Sequence, residues 1–232
     1  MIRVVTWKWS TGENHPRKGL QFSAEHVNRF YRMLDRNTTV PYEAVCITDN
    51  PIGLDPHIRV IPLWNDLRDM GGCYVRLKAF HKSMKEIIGG KFIWFDIDCV
   101  ITGNIDHILT DPADFKMWGD THPRTPYNGS MCMIEPGTVD KVWLDFDPKV
   151  SPRMGKRLGY VGTDQAWIST VMGPNFAKWG QKDGVYSFRC HFDKLNRIDL
   201  PQNARIVMFH GRFDPSQPEI QKRYSWVAQH WK

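Results

Sequence analysis

Devices that would pull this chain toward several protein classes are missing from it. Its five cysteines, Cys46, Cys73, Cys99, Cys132 and Cys190, are odd in number and widely spread, and no two form a C-x-x-C pair. Neither a disulfide framework nor a zinc site is expected from that spacing, and a reducing, cytoplasmic compartment is the simpler setting. No apolar run approaches the roughly 20 residues that a membrane span needs. Met1 leads straight into Ile2-Arg3-Val4-Val5, so no basic-then-apolar leader is expected. No repeat period or low-complexity tract interrupts the chain, which argues against a solenoid.

What is present is ordinary in bulk. With 232 residues, 41% apolar and 24% charged, the chain can bury one sizeable core, and a single domain over residues 1–232 is expected. Ten Trp and twelve Phe supply buried area or stacking platforms for sugars and bases. The net charge of +6 favours an anionic partner, and a nucleotide diphosphate, a nucleic acid and an acidic membrane surface all qualify. Basic residues cluster at Arg29, Arg32 and Arg36 on a predicted helix, and at Arg153, Lys156 and Arg157 in a Gly- and Pro-bearing loop.

Apolar periodicity predicts strands at Ile2–Trp7 and Tyr42–Thr48. Between them Ala24, Val27, Phe30, Tyr31 and Leu34 recur at helical spacing behind a Ser23 N-cap. A third strand is expected at Ile58–Leu63, then a helix through Leu77, Phe80, Met84, Ile87 and Ile88, then a strand over Lys91–Phe95. That alternation implies an α/β fold with a mostly parallel central sheet, helices on both faces, and ligands at the carboxyl ends of the strands. The second half reads as short strands at Phe115–Trp118, Met131–Ile134, Val185–Phe188 and Arg205–Phe209, with helices starting near Thr138 and Thr163. Two long loops, His122–Asn128 and Ser151–Gly162, are read as binding loops.

The chemistry centres on Phe92-Ile93-Trp94-Phe95-Asp96-Ile97-Asp98-Cys99-Val100. If the strand continues, period two puts Asp96 and Asp98 on one face. Two carboxylates ~5 Å apart repel by roughly 3 kcal/mol at an effective dielectric near 20, and a divalent cation resolves that strain. The D-x-D pattern alone is weak: Asp145-Phe146-Asp147 also carries it, placed before Pro148 like a solvated helix end. The apolar strand ahead of Asp96 is what distinguishes the first pair.

These segments and their order resemble glycosyltransferase family 8 and related enzymes of the GT-A fold, from about Ile2 to Pro215. The resemblance implies a Rossmann-like sheet, with residues 1–100 forming a nucleotide-binding half and 101–232 a sugar- and acceptor-binding half. It implies transfer of a sugar from a nucleotide-diphosphate donor, a UDP-sugar by preference, with retention of anomeric configuration and with Mn²⁺ or Mg²⁺ as cofactor. Asp96 and Asp98 would hold the metal, completed by His210 in Val207-Met208-Phe209-His210-Gly211-Arg212-Phe213-Asp214-Pro215. Arg76 would lie near the donor, Asn128 and Gly129 would meet donor-sugar hydroxyls, and Asp164 and Gln165 would flank the anomeric carbon. The base would lie by Thr6, Trp7 and Lys8, where the family's acidic residue is replaced. The lysine that usually meets the diphosphate is replaced by Asp214, so Gly211 and Arg212, or Lys8, would serve there. The acceptor stays open between a glycan and a hydroxymethylated DNA base, the latter extruded from its duplex.

Two other classes compete. Asp96-Ile97-Asp98-Cys99-Val100 fits the D-x-D-x-[TV] nucleophile pattern of haloacid-dehalogenase-type phosphatases, although that pattern normally follows the first strand and no second acidic pair is evident around Gly119-Asp120. A non-catalytic nucleic-acid-binding module would account for the basic charge and leave the carboxylate pair without a purpose.

Overall fold

A computed structural model describes residues 1–10, 22–119 and 121–232. Asp120, in the segment where the phosphatase pattern would place a second acidic pair, lies outside these residues. Strand β1 (Ile2–Lys8) is followed by helix α1 (Ala24–Arg36), which Ser23 and His26 cap reciprocally. The chain then forms β2 (Tyr42–Thr48) and β3 (Arg59–Pro62), parallel to β1 and β2 in turn. Beyond a 3₁₀ segment at Tyr74–Phe80 and the short helix α2 (Met84–Ile87), β4 (Phe92–Phe95) joins the other side of β1, again parallel.

Alternation along these strands feeds two cores. Val4, Ile93 and Phe95 face one apolar cluster together with α1, while Val5, Phe92 and Trp94 face a second with Leu77, Phe80 and Met84. Burial on both faces explains why the strands read as unbroken apolar runs.

The helix expected through Leu77–Ile88 is divided. His81 is extended at φ −68°, ψ 140°, and the Ser83 backbone N–H donates to His81 Nδ1 at 3.3 Å, with Ser83 Oγ 2.8 Å from the same nitrogen. This local side-chain bonding competes with the helical ladder, and the apolar pattern alone does not register it.

The second half contains β5 (Cys99–Ile101), α3 (Asp106–Leu109), β6 (Phe115–Gly119), β7 (Tyr127–Ile134) and α4 (Lys141–Leu144). Then come α5 (Ser151–Arg157), α6 (Asp164–Met172), β8 (Lys178–Trp179), β9 (Val185–Ser187), β10 (Ile206–Met208), α7 (Pro218–Arg223) and α8 (Ser225–His230). The central sheet has the order β3-β2-β1-β4-β7-β6-β8, in which only β7 runs against its neighbours; β5, β10 and β9 form a small second sheet. The arrangement agrees with the expected fold class.

Three local readings change. Asn128 and Gly129, expected ahead of the Met131–Ile134 strand, lie inside β7, and the register of β6 against β7 shifts between Met117 and Trp118 to accommodate them. The Ser151–Gly162 loop contains α5, begun by Pro152 in its first turn. The strand bearing the acids stops at Phe95 and resumes at Cys99, so Asp96 and Asp98 sit in the joint between the two sheets and the period-two argument for a shared face does not hold.

Candidate functional site

Four segments meet at the carboxyl end of β4. The Asp96 backbone N–H donates to Ser130 O at 2.7 Å, tying the joint to β7. Arg76, in the 3₁₀ segment, reaches beneath: its Nη1 donates to Asp96 Oδ1 at 2.7 Å and to Gly129 O at 3.0 Å, and its Nη2 meets Cys73 Sγ at 2.9 Å. Trp94 Nε1 donates to the same Gly129 carbonyl at 2.8 Å. Arg76 is only 5% exposed, so a cation is buried here by design and is matched by two acids.

The second acid is Asp164, 3% exposed at the start of α6. Its Oδ2 lies 3.7 Å from Arg76 Nε, beyond hydrogen-bond reach, and both atoms are buried without a hydrogen-bond partner. Burial pushes the Asp164 carboxyl up, opposed by Arg76 and reinforced by Asp96. A Cβ built at Gly129 would stand 2.9 Å from Asp164 Oδ2, so glycine is what lets β7 pass this close. Gln165 adds a bridge, with Oε1 accepting from Gly129 N–H at 3.3 Å and Nε2 donating to Val161 O at 3.1 Å. Asn128 Oδ1 accepts from Ser130 N–H at 2.9 Å. Arg76, Asp96, Gly129, Asp164 and Gln165 are thus brought together.

Asp98 is 6% exposed, and its carbonyl accepts from Phe209 N–H at 2.9 Å, which anchors the chain leading to His210 beside it. His210 Nε2 lies 2.7 Å from Ser187 Oγ, and the same hydroxyl accepts from Cys190 N–H at 3.1 Å. Cys190 Sγ in turn meets Thr121 Oγ1 at 3.3 Å. Burial works to raise the Cys190 thiol, but hydrogen bonds from Thr121, Ser187 and Arg189 outweigh it and hold the thiol below its ordinary range. Gly211 has φ +81°, and a Cβ there would be 3.8 Å from Arg189 Nη1.

The expected metal shell is not gathered. Among the described residues no group of three or more His, Cys, Asp or Glu side chains stands close enough to hold an ion. The Asp96 carboxylate faces Arg76 and the His210 ring faces Ser187, so each is engaged by an uncharged or cationic neighbour that the D-x-D pattern does not reveal.

Among the described residues neither proposed diphosphate cation forms an ion pair with Asp96 or Asp164. Lys8 Nζ donates to Asn50 O at 2.6 Å, and the exposed Arg212 guanidinium stands 5.0 Å from the Phe213 ring. Asp214 is a structural carboxylate: burial works to raise it, but hydrogen bonds from His26 and Ser216 hold it below the usual range. Thr6 is buried on β1 against Tyr31 and Val45, and Trp7 packs edge-on against Trp64 and Trp94; neither side chain reaches the cluster by a hydrogen bond.

Cavities lined by described residues open on either side of the cluster. One of about 170 Å³ lies at the ends of β1 and β2, lined by Lys8, Trp9, Ser23 and Asn50. The other, about 900 Å³, is lined by Trp118, Phe176, Lys178, Gln181, Cys190 and His191 among others. Trp118 pairs with Asn128 across the sheet and its ring lies 6.0 Å from His210. Ser187, Arg189 and Cys190 have no functional signature in the sequence, since a strand end followed by a π-helical turn at Arg189–Asp193 carries no motif.

No family model and no curated protein sequence matches the chain. Solved structures do. A galactosyltransferase LgtC in complex with donor and acceptor sugar analogs superposes with TM-score 0.58 at 13% identity, covering 100% of this chain and 97% of LgtC. An LgtC active-site mutant with glutamine replaced by glutamate gives TM-score 0.57, also at 13% identity, over 98% and 95% of the two chains. The glycosyltransferase GlyE of Streptococcus pneumoniae TIGR4 gives TM-score 0.63 at 9% identity, over all of this chain and 62% of GlyE. The displaced alternative is the phosphatase, whose carboxylate pair should follow the first strand, whereas Asp96 follows β4. The sheet order, the joint at Asp96–Asp98 and these similarities together give the chain the GT-A glycosyltransferase fold.

Proposed function

We propose that the chain is a glycosyltransferase that takes a sugar from a nucleotide-diphosphate donor at the carboxyl end of β4 and passes it to an acceptor hydroxyl. The observation that carries this is the Arg76 bracket: a buried guanidinium fixes Asp96 at 2.7 Å and faces Asp164 at 3.7 Å. The bracket leaves Asp164 Oδ2 without a hydrogen-bond partner beside a glycine that makes room. An orphaned buried carboxylate oxygen costs free energy unless something bonds to it, and a donor-sugar hydroxyl supplies the missing donor.

The flanking cavities suit the two ends of such a reaction. The small one by Lys8, Trp9 and Asn50 takes the base and ribose, with a UDP-sugar as the first candidate. The larger cleft beside Trp118 and Cys190 takes the acceptor. Asn128 and Gln165 line the sugar between them, and the active-site glutamine of the LgtC mutant supports a reacting-face role for Gln165. As the bond from the anomeric carbon to the phosphate oxygen breaks, negative charge grows on the diphosphate, so stabilising that charge is the main task.

Asp98 and His210 stand at the donor's phosphate end, with Arg212 and Gly211 beyond them. Because three protein ligands are not gathered, a divalent ion would need donor phosphate oxygens as further ligands; Mn²⁺ suits a mixed carboxylate and imidazole set. The resemblance supports retention of anomeric configuration, and its glycan and DNA-base acceptors are the two to assay. The test is a screen of nucleotide sugars with and without Mn²⁺, reading nucleoside diphosphate release. Release from at least one donor is expected, and silence across UDP-, GDP- and ADP-sugars would sink the proposal.

A further inference from the structure

The basic cluster at Arg153, Lys156 and Arg157 has no part in the site above. It lies on α5, and the helical backbone extends past the ends of that helix. Val150 and Leu158 both have right-handed helical dihedrals, and Leu158 N–H donates to Met154 O at 3.2 Å. One face of the helix is already used. Ser151 and Gly155 are buried, and a Cβ at Gly155 would stand 3.1 Å from Ala166 Cβ, so α5 is seated closely on α6.

The remaining surface is ordered in two rows. Val150, Met154 and Leu158 follow each other at every fourth position and are 53%, 40% and 54% exposed. One position earlier in each turn come Lys149, Arg153 and Arg157, all exposed. Positions four apart share a helix face, and the two rows are about 100° apart around the axis. An apolar row therefore runs beside a cationic row along the whole helix. Leu144 and Val161 on the adjoining segments are 60% and 40% exposed. Among the described residues none of Lys149, Arg153, Lys156 or Arg157 forms an ion pair. The nearest acid in sequence, Asp147, is occupied in accepting from the Lys149 and Val150 backbone N–H groups at 2.7 and 3.2 Å.

Charge and shape together select the occupant. A water-exposed apolar row gains by entering an acyl boundary, and parallel cations gain by meeting a plane of phosphates; an anionic bilayer offers both in one flat surface. We propose that this face of α5 binds the surface of an anionic membrane, with Val150, Met154 and Leu158 inserted and Lys149, Arg153 and Arg157 on the lipid phosphates. Since α5 packs on α6, which carries Asp164 and Gln165, docking sets the candidate site beside the bilayer. The surface does not depend on which reaction that site performs.

The test is co-sedimentation of the full chain with vesicles of phosphatidylcholine alone and with about one third phosphatidylglycerol, at about 0.1 M salt. Partitioning onto the anionic vesicles should exceed that onto the neutral ones by at least tenfold. The pair Arg153→Gln with Arg157→Gln should lose about thirtyfold of it. Leu158→Asp should lose about tenfold with an unchanged circular dichroism spectrum. The control pair Lys182→Gln with Lys222→Gln makes the same change in net charge elsewhere and should lose little. Equal partitioning onto both vesicles, or an equal loss in the control pair, would overturn the proposal. So would a dimer in sedimentation equilibrium that Leu158→Asp dissociates, because the face would then be an interface between copies.

Discussion

Around Arg76 the polar atoms are fixed by a buried ion pair, whereas from His210 onward they are linked through the Ser187 hydroxyl and the Cys190 thiol. The first cluster buries one guanidinium between two carboxylates and closes over it with Trp94 and Gly129. The second runs from His210 through the Ser187 hydroxyl to Cys190 and Thr121, and opens on the large cleft. The first takes Asp96 from the joint and Gly129 from the central sheet, and the second is anchored at Ser187 on the small sheet. The difference separates tasks: the buried cation makes the first cluster rigid, and its removal should be felt in folding. The second can be altered at little structural cost, so its changes should appear in activity or reactivity instead.

The strongest way to break that distinction is Arg76→Met. Removing one partner of a buried charged group typically costs 3–5 kcal/mol, which for a chain of this size corresponds to a fall in Tm of about 10 °C. Thermal unfolding by circular dichroism checks it, and an unchanged Tm would mean that the guanidinium is not the organising charge. Gly129→Ala is the next in size. Its Cβ would be forced to within 2.9 Å of Asp164 Oδ2, an overpacking cost of about 1–3 kcal/mol, read as a fall in Tm of a few degrees.

On the other side, Ser187→Ala removes the hydroxyl on His210 Nε2 at 2.7 Å. A single hydrogen bond is worth about 1 kcal/mol, so Tm should move by only a few degrees while nucleoside diphosphate release falls by roughly tenfold. The smallest effect compares two thiols. Burial pushes Cys73, under Arg76, up to about 11 against the pull of that guanidinium, while Cys190 is held below its ordinary range. The thiolate is the reactive form, so at pH 7 to 8 iodoacetamide should label Cys190 well before Cys73, and raising the pH should narrow the gap. Equal labelling rates would erase the contrast between the clusters.

How far this was legible in the sequence divides along the same line. The parallel strands β1, β2 and β4 and helix α1 are visible because burial on both faces makes continuous apolar runs and amphipathic spacing. Asp96 stands out by pattern, and Arg76, Asp164 and Gln165, which only the family resemblance implies, are its neighbours in space. Their actual arrangement was not visible, because the Arg76 bracket joins residues up to 88 positions apart (164 − 76) through a glycine carbonyl. Ser187 and Cys190 escaped notice because a hydroxyl at the end of a three-residue strand has no periodic signature. The split of Leu77–Ile88 and the helix inside Ser151–Gly162 went unseen for a related reason: His81, Ser83 and Pro152 act through local bonding and backbone geometry, which apolar spacing does not encode.

The most direct measurement is nucleoside diphosphate release by Asp98→Ala with the donor and Mn²⁺ concentration that serve the parent chain. Release should fall by at least about a hundredfold, the loss expected when a group stabilising leaving-group charge is removed, with Tm within a few degrees of the parent. Release at the parent rate from a folded Asp98→Ala protein would contradict the placing of the donor diphosphate at this joint.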